Sequence, residues 1–212
     1  MHDLIAILGT GRMGVALASR LARAGVPVAL GSRQPARAAA SAAELRAAIP
    51  GAMIVSGGYP EVAGRSAVSI LALDFYDALV LLPTLADQLA GKLVVDPSTP
   101  WEDMIAHVSA AERLAAVVPP GAHLVGAWKT TYAGTLDARD HGGETHDVLV
   151  CGEDAAAKGR IAALVAATGM RAVDCGGLTQ ARVIEAMVRM MDTAARSLGI
   201  PPGTPLGWKF LP

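Results

Sequence analysis

Leu4-Ile5-Ala6-Ile7-Leu8-Gly9-Thr10-Gly11-Arg12-Met13-Gly14, running on into Val15-Ala16-Leu17-Ala18, is the stretch that decides the fold. Residues 4–8 are apolar throughout, as expected of a parallel strand buried on both faces. The strand opens through G-x-G-x-x-G into a helix, and the glycines each relieve a separate steric problem. Gly9 permits the tight turn, Gly11 lets the backbone approach a pyrophosphate, and Gly14 lets the helix pack against the strand, with Ala18 keeping that contact close one turn later. The unpaired N–H groups of the first helical turn then face an anion with the positive end of the macrodipole behind them. A G-x-G-x-x-G alone is weak, but here the strand before it and the helix after it supply the context the motif requires. The expectation is a dinucleotide site.

The end of the second strand tells which dinucleotide. Sites for NAD usually carry Asp or Glu there to bind the ribose diol, whereas Val26-Pro27-Val28-Ala29-Leu30 ends in Gly31-Ser32-Arg33-Gln34-Pro35-Ala36-Arg37. A carboxylate would repel a 2′-phosphate; Ser32, Arg33 and Arg37 offer a hydroxyl and two guanidinium forks. Positive charge in a first helical turn opposes the macrodipole, so an anionic partner accounts for these arginines better than solvent does. NADP is the expected cofactor.

At 212 residues and 52% hydrophobic content, the chain is long enough for one large core or for a nucleotide-binding domain with a small appended one. A net charge of -1 and 4% aromatic residues give no footprint for nucleic acid. No apolar run reaches the roughly 18 residues of a membrane helix, and no signal peptide precedes the first strand, so a cytoplasmic protein is expected. Cys151 and Cys175 lie in no metal-ligand or C-x-x-C spacing and read as small packing residues.

Strands and helices alternate to about residue 118: strands at 3–9, 26–31, 52–56, 67–73, 92–96 and 123–128, helices at 11–24, 36–48, 75–90 and 103–117. A polar run from Asp137 to Asp147 reads as a loop. His141, Glu144, His146 and Asp147 within it fit no metal motif and read as solvated, with a lid role left open; His2, His107 and His123 read as surface or structural residues. Beyond come a strand at 148–151, a helix at 155–168, a strand at 171–174 and a helix at 178–198. On the last helix Val183 or Ile184, Met187 or Val188, Met191, Ala195 and Leu198 recur at helical spacing for the core, Arg182, Glu185, Arg189 and Arg196 supply polar faces, and the methionines widen the stripe enough to suggest a partner subunit. The fold class is α/β: a Rossmann doubly wound parallel sheet with a small C-terminal α/β extension. The division expected is 1–135 for NADP binding and 136–212 for a small domain that completes the substrate site and forms a dimer interface.

The nicotinamide should reach the carboxyl ends of the fourth to sixth strands, where the chain reads Ala72-Leu73-Asp74-Phe75-Tyr76, Asp96-Pro97-Ser98-Thr99-Pro100 and Ala127-Trp128-Lys129-Thr130-Thr131-Tyr132-Ala133. The glycine turn, Gly31-Ser32-Arg33, the run 147–154, the run 169–182 and the ending Gly207-Trp208-Lys209-Phe210 together resemble the F420-dependent NADP oxidoreductases, to which the oxidoreductase domain of the STEAP metalloreductases is related. The resemblance runs from end to end. It implies a Rossmann domain joined to a small C-terminal domain, a homodimer, and hydride transfer between NADP(H) and the deazaflavin coenzyme F420. It implies that Thr10, Ser32, Arg33 and Arg37 hold the 2′-phosphate, within a dinucleotide-contacting set of Gly9, Thr10, Gly11, Arg12, Met13, Gly14, Ser32, Arg33, Arg37, Leu73 and Ala127. Trp128, Lys129, Thr130 and Thr131 would line the transfer site, and residues 207–210 would close its C-terminal side.

The departures fall on the second substrate's side. Where the family usually has Ala-[Phe/Leu]-[Asn/His]-Thr-[Val/Ile]-Pro-Ala, this chain has Lys129 and Tyr132, and Asp74-Phe75 replaces an apolar pair. Asp74, Lys129 and Tyr132 are types that transfer protons or bind polar groups. If Asp74 and Lys129 converge, Lys129 or Tyr132 is placed to protonate a carbonyl or imine as hydride arrives; otherwise Lys129 binds an anionic group and the other two are solvated at the rim. Two rivals therefore stand beside the F420 reading: an NADPH-dependent reductase of a small carbonyl, imine or flavin, and a non-catalytic NADPH-binding module.

Overall fold

The structure is a computed structural model that describes residues 3–101, 107–137, 144–201, 204 and 206–211. Six parallel strands form the main sheet in the order β3-β2-β1-β4-β5-β6: β1 (Ile5–Leu8), β2 (Val28–Ser32), β3 (Ile54–Gly58), β4 (Val68–Ile70), β5 (Leu93–Asp96) and β6 (His123–Gly126). This is the doubly wound Rossmann order, and it places the switch point between β1 and β4. Alternation along β1 explains the layers. Ile5 and Ile7 face a buried cluster shared with α1 (Arg12–Arg23) and α2 (Pro35–Ala48), while Ala6 and Leu8 face one shared with α3 (Tyr59–Arg65), α4 (Phe75–Thr84) and α6 (Ala110–Ala115). Strands buried on both faces have no polar side to alternate with, which is why residues 4–8 read as one apolar run.

The sequence reading differs from the structure in local detail. It has no helix between β3 and β4, where α3 stands; a seven-residue helix is too short to show a period, although Pro60 and Glu61 in its first turn were a start signal. The helix expected over 75–90 breaks at Leu85 into α4 and α5 (Ala86–Leu89), just past Pro83. Ser32, expected in the loop after β2, is the strand's last residue. Of the helix expected at 103–117, residues 103–106 lie outside the described residues; α6 begins after Ser109, whose hydroxyl and the Glu112 carboxylate form a reciprocal capping box.

Past β6, α7 (Ala133–Asp137) precedes a second, two-stranded parallel sheet of β7 (Asp147–Val150) and β8 (Arg171–Asp174), connected by α8 (Ala155–Ala167). Asp137 and Asp147 thus belong to a helix and a strand and not to the expected polar loop, of which 138–143, with His141, lie outside the described residues. His2 does too, while His107 and His123 are exposed. Gly126 and Cys151 exchange both backbone hydrogen bonds, so the small sheet is stitched to the β6 edge. Val148, Val150, Ile161 and Val165 join the cluster around Ile5 and Ile7, so this part of the chain shares its core with the main sheet. A 3-10 turn, Leu178–Gln180, leads into α9 (Ala181–Ser197), whose Ile184 packs into the opposite cluster. Among the described residues no helix is long and apolar enough to cross a membrane.

Candidate active site

Two adjoining cavities, of about 800 and 500 Å³, open at the carboxyl ends of β1 and β4 and share Gly11, Ala72, Leu73 and Asp74 in their walls. Together they make one elongated cleft across the switch point, as a dinucleotide fold requires. The glycine turn builds its floor. Gly9 holds φ at +127°, and a Cβ there would sit 2.1 Å from the carbonyl oxygen of Ala72. A Cβ on Gly14 would meet the carbonyl of Gly9 at 2.1 Å, so both positions exclude any side chain. Gly11 differs: nothing lies within 4 Å of where its Cβ would be. The protein itself does not need glycine there, but a ligand approaching the backbone does.

The smaller cavity is walled by Thr10, Ser32, Arg33, Gln34, Arg37 and Tyr59. Ser32 is buried, and its hydroxyl accepts the Gln34 N–H at 3.1 Å, which fixes the turn that presents the two arginines. Arg33 rests 3.4 Å from Asp77 with both side chains exposed, a pairing a ligand phosphate can displace. The sequence-derived 2′-phosphate residues therefore lie together in one wall. Tyr59 escaped the sequence reading because it sits on the unforeseen α3.

The larger cavity brings Asp74, Lys129 and Tyr132 to its walls, but not into contact as a trio. Asp74 caps α4, its Oδ1 accepting the Tyr76 N–H at 2.9 Å. The Lys129 ammonium turns away into the protein, with no exposed side-chain surface, and donates to Asp96 Oδ2 at 2.6 Å, the Ser98 carbonyl at 2.6 Å and Glu185 Oε1 at 2.8 Å. The conditional Asp74–Lys129 pairing does not form. Burial acts to lower the Lys129 pKa, but Asp96 and Glu185 outweigh it and hold the value above the ordinary lysine range. Glu185 is itself buried, accepting from the backbone N–H groups of Ala110 and Ala111, and so is not on a polar face of α9 as its arginine neighbours suggested. Asp96 in turn accepts from the Ser98 N–H and hydroxyl. Tyr132 keeps a free run to the cavity, with burial and then the Asp192 charge pushing its phenol pKa up.

Three further expectations are corrected. Trp128 does not line the transfer site: its backbone adopts φ 57° and its indole packs into the core on the α1 side. Ala127 is likewise fully buried in that core and stands in neither cavity wall. Residues 207–210 do not close the cleft but run beside β7, where Trp208 pairs with Asp147 and the Phe210 N–H donates to Asp147 Oδ2 at 2.6 Å. Closure on that side comes from Ile200, Pro201, Thr204 and Leu206, with Val188, Asp192 and Arg196 of α9. Helical periodicity alone gave no sign that this face of α9 lines a cavity. Thr130, expected in the transfer site, lines it; its buried hydroxyl has no hydrogen-bond partner among the described residues. No group of three or more His, Cys, Asp or Glu side chains among the described residues is arranged to hold a metal ion.

The family described as NADP oxidoreductase, coenzyme F420-dependent, matches residues 4–100. The metalloreductase STEAP3 of Rattus norvegicus is 35% identical over 185 residues, 86% of this chain, and the chain spans 36% of that protein's length. The F420-dependent NADP reductase of Methanothermobacter thermautotrophicus is 30% identical over 207 residues, covering 88% of this chain and 87% of its own. Among solved structures, a chain from Arthrobacter sp. FB24, provisionally named an F420-dependent NADP reductase, superposes with a TM-score of 0.80 at 28% identity, covering 98% of this chain and 99% of its own.

Proposed function

The chain belongs to the coenzyme F420-dependent NADP oxidoreductase family, and from that premise we propose that it transfers hydride between NADP(H) and a second redox partner, with coenzyme F420 as the first candidate. The observation that carries the cofactor half is the cleft itself. The glycine turn excludes side chains from its floor, leaves Gly11 open to an incoming pyrophosphate, and continues into a wall holding Ser32, Arg33 and Arg37. These residues fit NADP: the N–H groups at the start of α1 take the pyrophosphate, and the hydroxyl and guanidinium groups, with Thr10, take the 2′-phosphate. When bound, the nicotinamide supplies the hydride, so the protein's task is to hold donor and acceptor carbons at near-attack distance with water excluded.

The larger cavity, about 800 Å³ and largely apolar in its lining residues, suits a flat heteroaromatic acceptor. The rival reading, reduction of a small carbonyl, imine or flavin assisted by Asp74, Lys129 and Tyr132, loses support because Asp74 is engaged as a helix cap and all three Lys129 donors are taken. Tyr132 alone remains for proton transfer. Nothing in the cleft favours the non-catalytic module. Exposed Val183, Met190 and Leu198 on and just past α9 support a homodimer, which light scattering of the purified protein reads directly. The activity is tested by mixing protein with NADPH and oxidised coenzyme F420 and following the deazaflavin's visible absorbance. Bleaching is expected, and its absence at high enzyme concentration rejects the acceptor.

A further inference from the structure

Lys129 follows Trp128, the one non-glycine among the described residues with positive φ. A left-handed conformation in a bulky residue persists only where its surroundings over-determine it, and such residues concentrate at functional sites. Here the conformation sends two consecutive side chains to opposite destinations: the indole into the α1-side core and the Lys129 ammonium toward β5 and α9.

An ammonium has three N–H donors, and all three are used within the protein. The acceptors come from separate walls of the larger cavity. Asp96 and Ser98 close the carboxyl end of β5, and the next residues, Thr99 and Pro100, line the cavity. Glu185 stands on α9 one turn before the lining residue Val188 and two turns before Asp192, and its second oxygen anchors the start of α6. Lys129 itself heads the lining segment that runs through Tyr132. None of these contacts reaches the Ser32, Arg33 and Arg37 wall of the smaller cavity.

We propose that Lys129 is a positioning residue: through Asp96, Ser98 and Glu185 it joins three walls of the larger cavity and thereby sets the fit of the hydride partner, leaving dinucleotide binding untouched. This rests on the reading that the larger cavity takes that partner.

The test uses Lys129→Met and Glu185→Gln in the full chain. Both are expected to raise the KM for coenzyme F420 tenfold or more, with the Kd for NADPH, read by fluorescence titration, changed less than twofold. Glu185→Gln discriminates, because it keeps the ammonium and loosens one restraint. A proton-donating lysine would keep its kcat in Glu185→Gln and lose it in Lys129→Met. A hundredfold kcat loss confined to Lys129→Met, with both KM values unchanged, overturns the proposal. Glu185→Gln carries the test alone if Lys129→Met does not fold. Failure of the wild-type protein to reduce coenzyme F420 rejects the acceptor but not the joint, which hydrogen exchange then decides. Amides of Ser98, Thr99 and residues 130–133 are expected to exchange at least tenfold faster in Glu185→Gln while those of residues 9–14 do not change; equal exchange throughout overturns the joint.

Discussion

Lys129 Nζ lies 2.6 Å from Asp96 Oδ2 with neither side chain exposed, and Glu185 completes the arrangement from the far side. Removing the cation leaves two carboxylates facing each other out of water. Lys129→Met is therefore expected to cost about 3–5 kcal/mol, the range for breaking a buried ion pair from one side. Asp77→Asn, which removes the exposed partner of Arg33, should cost about 0–1 kcal/mol. Urea midpoints of the two variants check the contrast; similar losses would show that the buried cluster is not the stabilising one.

Gly11→Ala separates folding from binding. Its Cβ meets nothing within 4 Å and its φ of -75° suits any residue, so the melting temperature should stay close to that of the native chain. NADPH affinity should nevertheless fall tenfold or more, because the methyl group occupies the approach of the pyrophosphate. Gly14→Ala, whose Cβ would overlap the Gly9 carbonyl, should lose stability as well.

Glu112 gives a pH dependence. Arg182, bonded to both its oxygens, is the main cause holding the Glu112 carboxyl down at about 2, with Ser109 assisting and burial opposing. A carboxyl depressed in the folded state stabilises it above the ordinary glutamate pKa, and that contribution disappears as pH falls toward about 2. With Arg182 half-exposed the contribution is about 1 kcal/mol or less. Glu112→Gln should flatten the native protein's loss of stability between about pH 4.5 and 2, as followed by denaturant titration at several pH values.

Thr130→Val removes a buried hydroxyl that has no partner among the described residues. An unsatisfied buried hydroxyl is costly, so the ligand-free variant should be more stable by about 1 kcal/mol. If the hydroxyl instead waits for a ligand atom in the larger cavity, kcat/KM should drop about fivefold to tenfold at the same time. Melting curves and steady-state kinetics on one preparation read both.

Much of the fold was legible because it rests on local rules. Residues 4–8 read as a strand buried on both faces, the glycines after them read as a close turn, and the run without an acid after β2 drew attention to Ser32, Arg33 and Arg37, which line one cavity in the structure. The unread parts depend on contacts distant in sequence. Lys129 is 33 residues from Asp96 and 56 from Glu185, and no local pattern announces that three charges will meet. Glu185, flanked on its helix by Arg182 and Arg189, carried the look of a solvated face. The apolar period of α9 is the same whether its stripe meets a core or a cavity. The left-handed Trp128 has no sequence signature, since indole side chains are not selected for positive φ.

The most direct test of the account is calorimetric titration of the native chain with NADPH and with NADH. Charge-assisted hydrogen bonds from Ser32, Arg33 and Arg37 to a 2′-phosphate, each about 1.5–3 kcal/mol, predict at least a hundredfold preference for NADPH, and Arg33→Ala with Arg37→Ala should abolish most of it without weakening NADH. Equal affinity for the two nucleotides, or no heat with NADPH, would contradict the assignment of this cleft to NADP and with it the proposed reaction.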